Sequence, residues 1–119
     1  MHVKPGQNIA LKIPAHLHAD TVAFYRDVLR LPVLQELADA VVFEFGSVRL
    51  WLDRIEHQSQ TDVWFELRTD DLEQATRLVS DAGAPVRDQL EPLGSLRAHW
   101  ISDPAGVVLL LNEDKAADG

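Results

Sequence analysis

The order of predicted elements, which is written twice along the chain, constrains the fold more than any other feature of this sequence. Residues 8–13 alternate apolar and polar side chains as a strand with one buried face does, and a helical pattern that ends before Pro32 and three short strands follow. Residues 62–68 begin the same order again, with a second helix that has an apolar stripe and stops at Gly83. We therefore predict two copies of one unit, over residues 8–54 and 62–112.

The length of the chain indicates how these repeats are used. In a chain of 119 residues each repeat is too small to bury its own sheet, so the two should pair within a single domain over residues 1–119. A polar linker is expected over residues 55–61, and a frayed end over residues 114–119. The predicted fold class is α+β, with two tandem βαβββ units whose concave mixed sheets form an open, barrel-like cleft.

Caps and turn signals predict the remaining boundaries. Asp20 or Thr21 is expected to cap the first helix, and Asp70 or Asp71 the second. Further strands are expected at residues 32–36, 41–45, 48–53, 86–90, 96–102 and 107–112, with tight turns at Gly46-Ser47 and from Asp103 to Gly106.

Charge and composition exclude several kinds of partner. Lys and Arg number 11 against 19 Asp and Glu, so the net charge of −8 disfavours nucleic acid and anionic membranes and favours a cationic ligand. The sequence has no Cys, which excludes a disulfide framework, a thiolate metal site and a Cys nucleophile. No stretch approaches the roughly 20 apolar residues of a membrane span, and residues 1–7 lack the apolar core of a secretory signal, so we expect a cytoplasmic protein.

Strand alternation divides the side chains of each sheet between two faces. One face, which the helix should cover, is apolar from Ile9 in the first strand to Leu111 in the last. The opposite face, which we call the open face, is mixed polar and carries all three tryptophans. Its predicted members are Asn8, Lys12, Glu44, Arg49, Trp51, Asp53, Asp62, Trp64, Glu66, Arg68, Trp100, Ser102, Leu110 and Asn112.

Three large rings among carboxylates are unusual on a face that no helix covers. The functional interpretation is an aromatic-lined, acidic cleft for a small molecule, in which the tryptophans stack on flat rings of the ligand. Negative potential would come from Glu44, Asp53, Asp62 and Glu66. The alternative is that the tryptophans are structural and pack where two repeats or two subunits meet. Because Arg49 and Arg68 share the face, ion pairs should account for some of the acids.

Histidine is the other residue type that could support chemistry. His16 and His18 are predicted in a loop before the first helix, but two histidines fall short of the about three protein ligands that a catalytic metal needs. We expect His57 in the linker to be solvated or hydrogen-bonded, and His99 to be a satisfied core or edge residue. The sequence contains no Gly-rich phosphate loop, serine elbow or helix-borne His-Glu pair.

These motifs and the two repeats resemble the vicinal oxygen chelate superfamily, which includes glyoxalase I, extradiol dioxygenases and bleomycin resistance proteins. The resemblance rests on residues 24–29 in the first helix, residues 67–72 entering the second and residues 101–106 near the end. Arg30 stands where the first helix of this family usually ends in Gly, which implies a strained or differently closed helix end.

The resemblance also implies where a metal would bind. Metal-dependent members take His, Glu or Gln ligands from the first and last strands of each repeat, and the matching positions here are Asn8, Trp51, Trp64 and Leu110. Trp and Leu offer no ligating atom, and Asn8 is a marginal ligand. We therefore expect neither a metal nor another cofactor.

Within the superfamily the sequence is most similar to the bleomycin resistance proteins, through residues 49–58 and through Trp64 with Glu66. Those proteins bind their drug without metal or catalysis, and they are acidic dimers with drug sites between subunits. The resemblance implies a homodimer that sequesters a planar, cationic antibiotic or natural product. Two alternatives stay open: a metal-independent enzyme acting on a small hydrophobic metabolite, with Glu44 or Glu66 as base, and a purely structural module.

Overall fold

The computed structural model describes residues 1–114, which form two α-helices and seven strands. The helices are α1, Ala15–Ala23, and α2, Leu72–Asp81; the strands are β1, Val3–Pro14; β2, Val33–Glu36; β3, Ala40–Phe45; β4, Val48–Ile55; β5, Asp62–Thr69; β6, Ala98–Ser102; and β7, Val108–Glu113. The predicted α+β class is confirmed. Within these residues neither α-helix has the length and apolar character that a bilayer span requires.

The chain divides into two compact units. The first unit, residues 7–64, has the strand order β2-β3-β4-β1, in which β1 and β4 are parallel and the other pairs antiparallel. The second unit combines residues 1–6 with the chain from residue 65 onward and has the order β5-β7-β6, with β5 and β7 parallel. Each unit thus has one parallel pair, and a helix lies on the crossover between its strands. The single domain and the exact repeat boundaries stay a prediction.

Residues 1–6 are tied to the second unit by two polar contacts. The backbone N–H of His2 donates to Asp70 Oδ1 at 2.8 Å, and this hydrogen bond lowers the pKa of Asp70. Lys4 Nζ lies 3.7 Å from Asp114 Oδ2. Asp114 is buried and its N–H donates to Thr69 O at 2.8 Å, whereas the rest of the predicted frayed end, residues 115–119, lies outside the described residues.

An apolar core lies between each helix and its sheet, as the alternation predicts. In the first unit the buried residues are Ile13, Val22, Phe43, Leu50 and Leu52. In the second they are Leu72, Ala75, Ile101 and Leu111. The apolar faces extend beyond what the helices cover, since Phe45, Val63 and Phe65 are exposed although strand parity places them on the helix-covered side.

The first helix begins earlier than predicted, and its end is strained as expected. It starts at Ala15, directly after Pro14, so Asp20 and Thr21 lie inside the helix and neither caps it. Pro14 can introduce a helix without a side-chain cap because its ring fixes φ near the helical value. A π-helical turn over Phe24–Val28 continues α1, and Arg30 then adopts φ +59°, which confirms the strained helix end expected at this position.

The second helix has the predicted start. The Asp71 side chain accepts a hydrogen bond from Gln74 N at 3.1 Å, and Glu113 Oε2 accepts one from Leu72 N at 3.1 Å. Glu113 Oε1 also accepts a hydrogen bond from Arg97 Nε, which raises the pKa of Arg97. Two carboxylates therefore satisfy the first turn of α2.

The strand predicted over residues 86–90 was wrong. Val86 makes a single bridge to Ile101, and a 3-10 turn covers Asp88–Leu90. The Asp88 carboxylate accepts a hydrogen bond from Trp100 N at 2.8 Å, in place of the carbonyl oxygen that a neighbouring strand would present. The second unit accordingly has three strands in its described residues.

Candidate functional site

The open face of the first unit is established by the strand register. Residues directly paired on neighbouring strands point to the same side of a sheet. The rows on this side are Asn8-Arg49-Glu44, Ala10-Trp51-Val42 and Lys12-Asp53-Ala40. The register thus brings together six of the residues predicted for this face, and it adds three small or branched apolar residues that sequence reasoning left out because they carry no chemistry.

Trp51 and Asn8 form a fixed pair on this face. The Trp51 indole N–H donates to Asn8 Oδ1 at 2.8 Å, and both side chains are half-buried. Because the hydrogen bond fixes the rotation of the ring, one part of the indole stays anchored while another part remains accessible.

A buried ion pair lies on the same face. Lys12 is only 3% exposed, and its Nζ lies 2.6 Å from Asp53 Oδ2 and 4.5 Å from the centroid of the Trp64 ring. Gln58 in the linker donates from Nε2 to Lys12 O at 2.9 Å. The chain therefore places its own cation over the Trp64 ring, and the linker is hydrogen-bonded to β1.

The open face of the second unit contains a buried carboxylate. Glu66 accepts hydrogen bonds from Arg68 Nε at 3.3 Å and, more weakly, from Asn112 Nδ2 at 3.4 Å. Gly6 in β1 packs so closely against Glu66 that an added Cβ would overlap the Glu66 side chain. Arg68 thus forms an ion pair with Glu66, as predicted for some of these acids, and it also lies 3.4 Å from Asp114 Oδ1.

The three tryptophans differ in depth. Trp64 and Trp100 are each 8% exposed, and the Trp100 indole N–H donates to Glu91 O at 2.9 Å. Trp51 alone of the three is half-buried. Trp64 and Trp100 are therefore buried, as the structural alternative predicts for packed rings. Trp51 is the ring that a ligand could reach without displacing other side chains. Of the other predicted ligand-binding residues, Glu44, Arg49 and Asp62 are exposed and Leu110 is half-buried.

The positions that correspond to the metal ligands of the superfamily do not fit a divalent ion. The amide oxygen of Asn8, its best ligating atom, already accepts the Trp51 hydrogen bond. The side chains of Trp51, Trp64 and Leu110 have no basic atom to coordinate a metal. Residues 1–114 contain no group of three or more His, Cys, Asp or Glu that could hold a metal ion.

The histidines offer no alternative centre. His16 and His18 lie within α1 rather than in the predicted loop, so their spacing of two residues points them to different sides of the helix. The His18 Nε2 atom is 2.9 Å from Leu52 O, whereas His16 and His57 are exposed. His99 Nδ1 lies 2.6 Å from Asp88 Oδ2, which confirms the expectation of a satisfied edge residue.

Comparison with known proteins gives one family and many structures of the same fold. The model of the glyoxalase-like domain matches residues 9–111. No curated protein matches this sequence. A glyoxalase/bleomycin resistance protein/dioxygenase superfamily member from Vibrio splendidus is 17% identical, with 89% of this chain and 97% of that chain covered and a TM-score of 0.63.

Two further solved structures support the same fold. A hypothetical protein from Bacillus halodurans is 14% identical, with 97% of this chain and 96% of that chain covered and a TM-score of 0.67. The Mn(II)-bound glyoxalase from Novosphingobium aromaticivorans is 19% identical, with 94% of this chain but 39% of that chain covered and a TM-score of 0.68. At such low identity the likeness shows the fold alone.

Proposed function

Because the chain belongs to the glyoxalase-like domain family, we propose that it is a binding protein that holds a small molecule on the open face of its first unit, without metal and without catalysis. The proposed ligand is a planar, cationic antibiotic or natural product, which the protein would sequester as bleomycin resistance proteins do. The Asn8–Trp51 hydrogen bond carries the proposal, because it engages two of the matched metal positions and presents an aromatic ring there.

The ring supports a planar ligand. A half-buried indole whose rotation is fixed loses little further freedom when a flat molecule stacks on it. Each such contact contributes about 0.5–2 kcal/mol, so a single ring needs help from neighbouring polar and apolar groups to reach micromolar affinity. Ala10 lies beside Trp51 in the same row and is half-buried, so it provides apolar surface for the edge of the ligand, whereas Val42 on the other side of Trp51 is buried.

The charges of the open face support a cationic ligand less directly than the Trp51 ring supports a planar one. Asp53 is paired with Lys12, and Glu66 with Arg68, so these two carboxylates are partly neutralised. Glu44 and Asp62 are exposed, although Glu44 lies opposite Arg49 in the strand register. The attraction for a cation therefore comes chiefly from the exposed acids and from the net charge of −8, and it should weaken as salt is added.

The surroundings of the two predicted bases, Glu44 and Glu66, favour binding over metal-independent catalysis. A general base must come within hydrogen-bond reach of the proton that it removes. The Glu66 side chain is 5% exposed and is held by Arg68 and Asn112, so its oxygens serve the structure. Glu44 is accessible, but no described group prepares it for proton transfer.

The test is a titration with acridine orange, a planar cation, followed by tryptophan fluorescence. Trp51→Ala should weaken binding by about 5- to 150-fold, which corresponds to about 1–3 kcal/mol for a lost stacking contact. Trp51→Phe should retain part of the affinity. Phe24→Ala is the matched control, because it removes an exposed ring from the π-helical turn. Undiminished affinity in folded Trp51→Ala would contradict the proposal, as would turnover of a bound compound.

The proposal includes two further properties: a homodimer, which the resemblance implies, and a cytoplasmic location, which we expect from the sequence. Light scattering at tens of micromolar protein tests the first, and a monomer under those conditions would remove it. Fractionation of cells that express the chain tests the second.

A further inference from the structure

The second unit contains a cavity between α2 and its sheet, on the face opposite its open face. Its volume is about 430 Å³. Leu67, Ile101 and Leu109 line it from three strands, and Val79 lines it from α2. The residues that follow α2, from Ala82 to Ala84, and the turn from Ser102 to Pro104 complete the wall.

The cavity exists because the residues that follow α2 have side chains too small to fill the space above the strands. Leu72 and Ala75 at the start of α2 are buried, but Leu78 in its last turns is 55% exposed. The chain then leaves the helix through two alanines and Gly83, whose φ of +96° requires glycine. This half of the helix and the segment after it therefore leave the strands below them incompletely covered.

The first unit shows what normally fills such a space. There the rings of Tyr25 and Phe43 pack 6.0 Å apart between the helical segment and the sheet, and Phe43 is fully buried. The buried cluster of the second unit contains only aliphatic side chains. Phe65 lies on the same face and pairs in register with Leu109, but it is 42% exposed. The second core therefore contains no aromatic ring, although the exposed ring of Phe65 lies on the same face next to Leu109.

Two polar side chains at the cavity, Asp103 and Ser102, already make hydrogen bonds within the chain. Asp103 Oδ1 accepts hydrogen bonds from Ala105 N and Val107 N, both at 2.9 Å, and holds the turn. Ser102 Oγ accepts one from Arg87 Nη1 at 3.1 Å. Among the lining residues Asp103 carries the one formal charge, and that charge is negative. The cation next to the lining, Arg87, is already bonded to Ser102 Oγ, so an anionic ligand gains little there, whereas an apolar one would displace water from aliphatic walls.

We propose that this cavity is a second binding site, for a neutral, apolar ring compound. Its volume falls within the range of about 300–1,000 Å³ that is typical of ligand pockets. It therefore accommodates a molecule of two or three fused or linked rings. The proposal is independent of the binding proposed for the open face, since it uses none of the same residues.

The experiment uses N-phenyl-1-naphthylamine, a neutral dye whose emission rises in apolar surroundings, and its anionic relative 8-anilino-1-naphthalenesulfonate. The wild-type chain should bind the neutral dye saturably at one per chain, and the anionic dye more weakly. Ala84→Phe and Val79→Phe should each fill the cavity and abolish binding of the neutral dye. Ala38→Phe adds the same ring at an exposed loop position and should bind like the wild type.

Amide chemical shifts locate the dye. Binding should move the signals of residues 82–84 and 102–103 and leave the Trp51 indole signal unchanged, which separates this site from the open face. Wild-type affinity in either folded Phe variant would overturn the proposal, as would the absence of saturable binding or shifts centred on Trp51. Equal affinity for the two dyes would overturn the assignment to neutral compounds.

Discussion

Replacing Lys12 by Met should destabilise the protein more than its position in a single strand suggests. Lys12 is 3% exposed, and its ammonium group lies 2.6 Å from Asp53 Oδ2 and 4.5 Å from the centroid of the Trp64 ring. Removing it leaves the Asp53 carboxylate, whose side chain is only 18% exposed, without that cation. A charge so placed cannot recover full hydration without a local opening of the sheet.

The expected magnitude follows from the burial of both partners. Breaking a buried pair by removing one partner costs about 3–5 kcal/mol, and Asp53 falls near the lower end because it reaches some solvent. Loss of the cation over Trp64 adds about 1 kcal/mol, so Lys12→Met should lower the free energy of unfolding by about 3–4 kcal/mol. Lys12→Met combined with Asp53→Leu removes both charges, and should be more stable than Lys12→Met alone by at least about 1 kcal/mol.

Urea unfolding measures these differences, provided that the slope of the transition is unchanged between variants. Asp53→Leu completes the double-mutant cycle, and the matched surface control is Arg26→Met, which breaks the exposed ion pair with Asp27. The control should leave the urea midpoint nearly unchanged, because water screens an exposed ion pair. Additive effects of the two substitutions at Lys12 and Asp53, or a Lys12→Met protein within about 1 kcal/mol of the wild type, would refute the reasoning.

Three further outcomes are expected. Purified protein should contain no stoichiometric transition metal and should melt at the same temperature with and without EDTA; elemental analysis giving one metal per chain would exclude the proposed metal-free site. Trp64→Ala should cost about 3–5 kcal/mol of stability because the ring is buried, and Trp51→Ala about 1–2 kcal/mol because part of its ring is already accessible; chemical denaturation that reverses this order would show that their burial was misassigned. Arg30→Gly should stabilise the chain by about 0.5–1 kcal/mol by relieving the left-handed conformation, and a lowered melting temperature would argue against strain there.

Strand alternation predicted the faces of the sheets because its period is fixed by backbone geometry. Trp51 and Asn8 were therefore placed on one side of adjacent strands, as the register has them. Alternation gives direction but not depth. Trp64 lies against Lys12, which is remote in sequence, and Trp100 donates to Glu91 O in the loop before its strand, so sequence alone made both rings equivalent to Trp51.

The start of a helix was predicted correctly where a side chain of the sequence caps it. Asp71 caps α2 through its own carboxylate, and this preference is visible in the sequence. α1 begins after Pro14 with no side-chain cap, so polar residues further on were taken for its start. The Asp88 carboxylate accepts the hydrogen bond of Trp100 N that a neighbouring strand would otherwise accept. From composition alone, an Asp in this role cannot be distinguished from an Asp in an ordinary turn. The cavity between α2 and its sheet could not be predicted either, because it depends on how closely the side chains of separate elements pack.

The division of the chain into units has a consequence for synthesis on the ribosome. Residues 7–64 are contiguous, so the first unit has its whole complement of residues as soon as that stretch has been translated. Residues 1–6 precede this stretch, whereas their partners Asp70 and Asp114 follow it. The second unit must therefore close a loop over almost the entire described chain, which is a slow and entropically costly step, and residues 1–6 complete their contacts only after residue 114 has been made.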